Sequence, residues 1–218
     1  QAYSDCQGMM QLTEEIFNYV AKEVLGDNKI KFGEGLIDLT PPWPRWSFAE
    51  EIKKKFDINP DDSSQEWIRK LQAKGMDFKA KDITRSQIAN IITEMLEPET
   101  GDRPIFVVDL FSELCPLAKR KKDNPLLTDR FELFMGGMEI ANAYSELNDP
   151  IEQKKRFEEQ LVGQEGVKKI DEDFVRALEY GMPPAGGLGI GIDRMVMLFA
   201  NQPSIRDVIL FPQLKPEA

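Results

Sequence analysis

The spacing of apolar residues along this chain changes from region to region, and each change predicts a different element. Between residues 7 and 25, Met9, Leu12, Ile16, Val20 and Val24 recur at helical spacing and Gly26 follows, which predicts one amphipathic helix. Over residues 29–39 the period shortens on either side of Gly33-Glu34-Gly35, which predicts two short strands. Pro41, Pro42 and Pro44 then break the chain, and Trp43 and Trp46 beside them are expected packing anchors. Three helix-opening signatures come next: Ser47 with Glu50, Ser63 with Glu66, and Thr84 with Gln87, each a hydroxyl three positions ahead of a group that can cap it in return. They predict a helical section over about residues 47–96, one helix ending at Gly75, inserted on one side of a sheet. Residues 104–110 (PIFVVDL) read as a buried strand. Asp149 and Pro150 open a charged helix to about Leu161. Residues 171–180 predict a short helix closed by Gly181, and residues 207–211 a last strand ended by Pro212.

Two stretches concentrate the chemistry. In residues 128–150, alternating apolar positions flank Gly136-Gly137, the pattern of a hairpin with a two-residue turn. Pairing Met135 with Met138 sets Phe134 opposite Glu139 and Glu132 opposite Ala141. Glu132 and Glu139 are then diagonal neighbours on one face, about 7–8 Å apart at the backbone. Carboxylates at that gap repel unless a cation lies between them. A hard divalent ion, magnesium above all, fills it together with phosphate oxygens; a solvated sheet face is the plainer alternative. Asn142, Tyr144 and Glu146 follow at period two, ending in a carboxylate that could hold an ammonium. Strict alternation turns Glu139 to the opposite face from that row. One pocket for all four therefore requires a β-bulge near residues 140–141.

The second stretch, residues 185–199, reads AGGLGIGIDRMVMLF. Glycine weakens a strand, so Gly186, Gly187, Gly189 and Gly191 need a reason, such as close approach of a ligand or of another backbone. A flat aromatic ring would supply one. Arg194, at the head of the helix that follows, suits a phosphate tail. The run also fits a packing strand whose arginine pairs an acid. A dinucleotide-binding turn places its glycines after the strand and its acid about 20 positions on, whereas Asp193 is immediate here.

Charge and composition narrow the picture. With 38 acidic and 28 basic residues the net charge is −10, which opposes tight non-specific binding of nucleic acid, so any contact with RNA is expected to be local. Lys119-Arg120-Lys121-Lys122 is the densest basic run and reads either as solvated surface or as a contact for nucleic acid or phosphate. The absence of histidine excludes Ser-His and Cys-His nucleophilic catalysis and histidine zinc sites. Cys6 and Cys115 lack metal-ligand spacing and are expected as reduced cytosolic thiols. No apolar run approaches a membrane span, no signal peptide opens the chain, and the initial Gln1 reads as a cut end.

These stretches carry a resemblance. GLGIGIDRMVMLF resembles motif 3 of the class II aminoacyl-tRNA synthetases in their lysyl form. FELFMGGMEIANAYSELNDP, CPLAK, the tail IRDVILFP and the opening QAYSDCQGMMQLTEE are similar to the same family. The likeness covers nearly all of the chain and is weakest over residues 38–102. Aspartyl and asparaginyl relatives share the glycine strand and its arginine but do not usually share NAYSELNDP, which resembles a lysine-specific pocket.

The resemblance implies an α+β fold, a class II antiparallel sheet flanked by helices, with the N-terminal strands of the sheet missing. Motifs 1 and 2 and an anticodon-binding OB-fold domain are expected to precede Gln1, leaving residues 1–218 as a partial catalytic domain. It implies a lysine–tRNA ligase that activates lysine with ATP and transfers it to the 3′ end of tRNA(Lys), as a cytoplasmic homodimer in full-length form without membrane attachment. Without the motif 2 arginine that grips the α-phosphate, these residues alone are expected to be inactive. Glu132 and Glu139 are implied ligands of Mg2+ bridging the ATP phosphates. Glu139, Ile140, Gly191, Ile192 and Asp193 would border the nucleotide. Arg194, the implied catalytic residue, would hold the terminal phosphate and stack near adenine, with Asp193 fixing it or capping its helix. Asn142 and Tyr144 would orient lysine, and Glu146 would pair with its ammonium. A stand-alone binding module without catalysis, and a paralogue that lysylates a protein, are the other readings of this lineage.

Overall fold

The computed structural model describes residues 1–76, 83–161 and 169–211. Helix α1 (Cys6–Leu25) opens where the Asp5 side chain accepts from the Gly8 N–H and stops at Gly26, φ 76°. Its buried face is Cys6, Met9, Met10, Thr13, Phe17 and Ala21. Val24, expected inside, is 66% exposed. The buried stripe ends at Ala21, and residues 22–25, the last turn of the helix, are all exposed. Phe17 anchors the buried part by stacking on Phe199 and meeting Trp43 edge-on. Strands β1 (Lys29–Phe32) and β2 (Gly35–Asp38) form the expected hairpin.

After the prolines the chain makes a short strand that its pattern did not announce, β3 (Arg45–Ser47). Helices α2 (Phe48–Phe56), α3 (Ser64–Ala73) and α4 (Arg85–Glu94) follow. Ser63 and Thr84 each close a reciprocal capping box. Ser47 makes only half of one, accepting from the Glu50 N–H at 3.4 Å. Strands β4 (Ile105–Val108), β5 (Arg130–Met135) and β6 (Met138–Ser145) lead to α5 (Pro150–Leu161) and α6 (Glu172–Glu179). The glycine run is β7 (Gly186–Ile190), and α7 (Ile192–Phe199) leaves it directly.

β3 to β7 form one five-stranded sheet in chain order. It is antiparallel except at the β3–β4 edge, where the pairing is parallel because α2, α3 and α4 carry the chain back between the two strands. The antiparallel sheet flanked by helices that the resemblance implies is present, with this one parallel edge added. The strand expected over residues 207–211 is not formed. Ile205–Asp207 is a 3-10 turn, and the Asp207, Val208 and Ile209 N–H groups bond locally to Ser204 and Ile205 carbonyls rather than to a neighbouring strand.

The two faces of the sheet have different fates. On one, α1, α7 and the β1–β2 hairpin bury Phe131, Leu133, Ala141 and Ala143 with Trp43 and Met195. On the other, α2 to α4 cluster Phe48, Ile52, Trp67 and Ile92 against Val107, Phe111 and Phe134. This second core covers the β4–β5 side and leaves the β6–β7 side of that face open to a groove. Gly186 shows how closely the first core is packed: an added Cβ there would lie 2.8 Å from the Asp5 carbonyl oxygen and 2.9 Å from Met9 Cγ. At Gly189 the nearest atom would be 3.7 Å away. Gly186→Ala should therefore cost about 1–3 kcal/mol of stability through overpacking. Gly189→Ala should leave the denaturation midpoint nearly unchanged. Urea unfolding of the two variants, side by side, checks this.

Candidate active site

The site is built on the β5–β6 hairpin. Gly136 and Gly137 take φ values of 59° and 75°, the pair of positive angles that a two-residue type I′ turn demands. The Gly137 N–H also donates to Thr100 Oγ1 at 3.0 Å, fixing the turn against the chain before β4. Met135 faces Met138 and Phe134 faces Glu139, as the pattern required. The register then slips. Leu133 faces Ala141, so Ile140 is an extra residue on β6, the expected bulge. As a result Glu132 pairs with Asn142, not with Ala141 as strict counting gave.

That one-residue slip sorts the polar side chains. Directly paired residues share a face, so Glu132, Asn142 and Gly189 form one row and Arg130, Tyr144 and Gly187 the next. Glu139 joins them across the bulge, its Oε1 3.5 Å from Asn142 Nδ2. Glu146 continues the β6 side of the row and lies over Gly187: a Cβ at residue 187 would come within 1.8 Å of Glu146 Oε1. The glycines of β7 thus serve both faces, Gly186 admitting α1 behind and Gly187 a carboxylate in front.

Glu139, Asn142, Gly189, Gly191, Arg194 and Ile205 line a groove of about 390 Å³. Ile192 and Asp193 also border it. Ile140 is 2% exposed, so only its backbone can serve a ligand there. The Gly191 N–H donates to the Ile140 carbonyl at 2.9 Å, tying the start of α7 to the bulge. Arg194 Nη1 donates to the Glu139 carbonyl at 2.5 Å and the residue is exposed to the groove. Asp193 has neither of the duties considered for it. Arg194 is fixed by Glu139, and the cap position of α7 is Gly191 with no side-chain hydrogen bond.

Arg130 is a site residue that sequence reasoning passed over. It forms an ion pair with Glu132, the two side chains 15% and 14% exposed. Its signal was present, two positions before Glu132 and therefore on the same face. The helical section also contributes more than packing. Glu94 and Glu97, at and beyond the end of α4, wall a smaller cavity of about 190 Å³ shared with Glu132 and Glu139.

Burial pushes the Glu132 carboxyl above its usual range; the charge of Glu139 pushes the same way, and Arg130 opposes both. Burial likewise raises Glu146, and raises Tyr144 with help from Glu146. Acid is thus held on this face at a cost that Arg130 offsets only in part, the condition a further bound cation relieves. Among the described residues no group of three or more acidic, cysteine or histidine side chains could hold a metal alone. Glu132 and Glu139 can supply only part of a coordination shell, and hard oxygens of a ligand must supply the rest.

The chain is similar to known proteins over nearly all of its length. The family model described as tRNA synthetases class II (D, K and N) matches residues 1–215. A lysine–tRNA ligase of Pelotomaculum thermopropionicum is 50% identical over 99% of this chain and 44% of its own length. Those of Moorella thermoacetica and Bacillus subtilis are each 47% identical, over 100% and 99% of the chain and 45% and 44% of their own lengths. The chain therefore spans less than half the length of these relatives.

The electrostatics can be checked directly. In Glu139→Gln the like charge facing Glu132 is gone, so the Glu132 titration, followed by carboxyl-carbon NMR, should move to lower pH. Over the pH range between the new and the old midpoint, Glu132 is then ionised where the parent chain keeps it protonated.

Proposed function

This chain belongs to the class II tRNA synthetases of the D, K and N group, in the lysyl branch, and on that premise we propose that it forms the substrate-binding part of a lysine–tRNA ligase. The observation that carries the proposal is the bulge at Ile140. It gathers Glu132, Glu139 and Asn142 on the face that β7 floors with glycine, with Arg194 at the end of the groove.

In this reading ATP lies in the groove beside Gly189 and Gly191. Its base lies on the glycine floor of β7 with the Arg194 guanidinium stacked near it, the same guanidinium meets the terminal phosphate, and Ile192 borders the nucleotide. The backbone of Glu139 and Ile140, Gly191 and Asp193 border the nucleotide. Lysine lies further along β6, oriented by Asn142 and Tyr144, its ammonium paired with Glu146. The clearance over Gly187 lets that carboxylate cross β7. Lysine's carboxylate attacks the α-phosphate and pyrophosphate leaves, giving lysyl-adenylate. The terminal ribose hydroxyl of tRNA(Lys) then attacks the lysyl carbonyl, the acyl–phosphate bond breaks, and AMP departs with the hydroxyl proton lost to its phosphate or to water. Neither step calls for a histidine or for an acid of unusual strength. Orientation and neutralisation of charge carry them.

Magnesium fits the residues present. Glu132 and Glu139 offer hard oxygens on a shared face, Arg130 engages only one oxygen of Glu132, and the raised Glu132 pKa marks charge in want of a counterion. When bound there, the ion would neutralise triphosphate charge. Arg130 holds the Glu132 carboxylate on the face it shares with Glu139.

Because the relatives are more than twice as long as this chain, the activity is to be measured on the full-length protein. ATP–pyrophosphate exchange should require lysine; exchange with aspartate in its place would refute the pocket assignment. Glu146→Gln should raise the lysine requirement by roughly 10- to 100-fold, the worth of one hydrogen bond to a charged group, with the ATP requirement little changed. Arg194→Ala should do the reverse, and equal effects on both substrates would overturn the division of roles.

A further inference from the structure

The basic run at residues 119–122 takes no part in the groove, and its members are used unequally. Lys121 is spent on an ion pair with Asp109. Arg120 has looser company: Glu152 Oε1 lies 3.6 Å from its Nε and Glu159 Oε2 lies 3.9 Å from its Nη2. Among the described residues the buried Arg120 Nε has no hydrogen-bond partner. Close by is Arg156 of α5, whose side chain is 3% exposed. Its Nη1 donates to the Cys115 and Ala118 carbonyls at 3.1 and 2.8 Å, and its Nε to Glu152 at 3.1 Å. Its Nη2 is 3.0 Å from the same Glu152 oxygen but makes no hydrogen bond to it or to any other described residue. Two guanidiniums thus share one carboxylate and retain buried, unused donors. Burial and the charge of Arg120 both hold Arg156 below its usual range.

Both arginines line a cavity of about 450 Å³ between α5, the start of α4 and the 3-10 turn Ser112–Leu114. Ser86 and Ser112 line it too, and it shares no lining residue with the groove at Arg194. Of its acidic lining residues, Glu113 is committed to Arg85. Glu159 is 52% exposed and can turn outward.

We propose that this cavity is a phosphate-binding site, in which phosphoryl oxygens accept from Arg120 Nε and Arg156 Nη2, with the Ser86 and Ser112 hydroxyls within the same cavity. Buried donors without acceptors are costly, and few survive in folded proteins without a partner. A tetrahedral oxyanion offers separate acceptor oxygens to two guanidinium edges, whereas the one Glu152 oxygen that lies against both accepts a hydrogen bond only from Arg156 Nε. The group can come from an RNA backbone or from a small phosphorylated molecule; the chemistry recognised is the same.

Inorganic phosphate is the probe, titrated into the isotopically labelled chain at constant ionic strength and followed by amide NMR. Saturable shifts are expected at Arg120, Ser86 and Ser112. They should need at least tenfold more phosphate in Arg120→Gln, which gives up no hydrogen bond, and should persist in Arg194→Ala. Arg120→Lys, which keeps the charge and loses the fork, should recover only part of the affinity. Absence of saturable shifts, parental affinity in Arg120→Gln, or shifts that vanish in Arg194→Ala would each overturn the proposal. Where phosphate binds, displacement by an RNA duplex identifies the backbone as the source, and displacement by AMP but not by RNA identifies a small molecule. Failure here leaves the ligase reading intact, since no residue is shared between them.

Discussion

A single unpaired residue in an antiparallel ladder governs the chemistry of this chain. Without Ile140 out of register, Glu139 and Asn142 would point to opposite sides of β6, and the hairpin could not present two acids and an amide to one ligand. The bulge is stable because both ends are tied. The Gly191 N–H closes on the Ile140 carbonyl, and Arg194 closes on the carbonyl of Glu139. The surplus carbonyls that a bulge leaves are thereby satisfied by the very segment that supplies the guanidinium. Bulge and arginine form one unit, since the carbonyl that the bulge turns out sets where the guanidinium sits.

The sheet around that unit is asymmetric by necessity. Its back is sealed by α1, α7 and a hairpin, and the front is half sealed by α2 to α4. The front half over β6 and β7 stays open because its side chains are glycine, or polar groups whose desolvation without a ligand would be unfavourable. The raised titration of Glu132 and Glu146 records that tension between burial and charge. Sites of this kind trade stability for function locally, and a strong fold elsewhere permits it.

What was legible in the sequence was what local chemistry decides. The Gly136-Gly137 turn, the capping boxes at Ser63 and Thr84, and the stop at Gly26 each follow from residues within a few positions of one another. The bulge was legible too, since only a slip could reconcile the polar row with Glu139. What escaped notice depends on distant partners. β3 exists because β4, some sixty positions on, offers it an edge. Val24 is outside because the last turn of α1, residues 22–25, extends past the elements that cover Phe17 and Ala21. Residues 207–211 have strand-like composition yet turn locally where Ser204 offers an acceptor. Arg130 was missed for another reason: an arginine next to a glutamate reads as ordinary surface until both are seen to be buried.

Gly186 and Gly187 are consecutive, yet one receives the Asp5 carbonyl and Met9 from behind while the other receives Glu146 from the front. Only the thickness of a peptide separates the hydrophobic interior from the polar face that carries Glu146. Helix α1 therefore acts as a backstop. Any change that tilts it by a fraction of an ångström displaces the glycine strand by a similar amount, so the shape of that polar face can drift through substitutions at Met9 or Cys6, which lie wholly behind it.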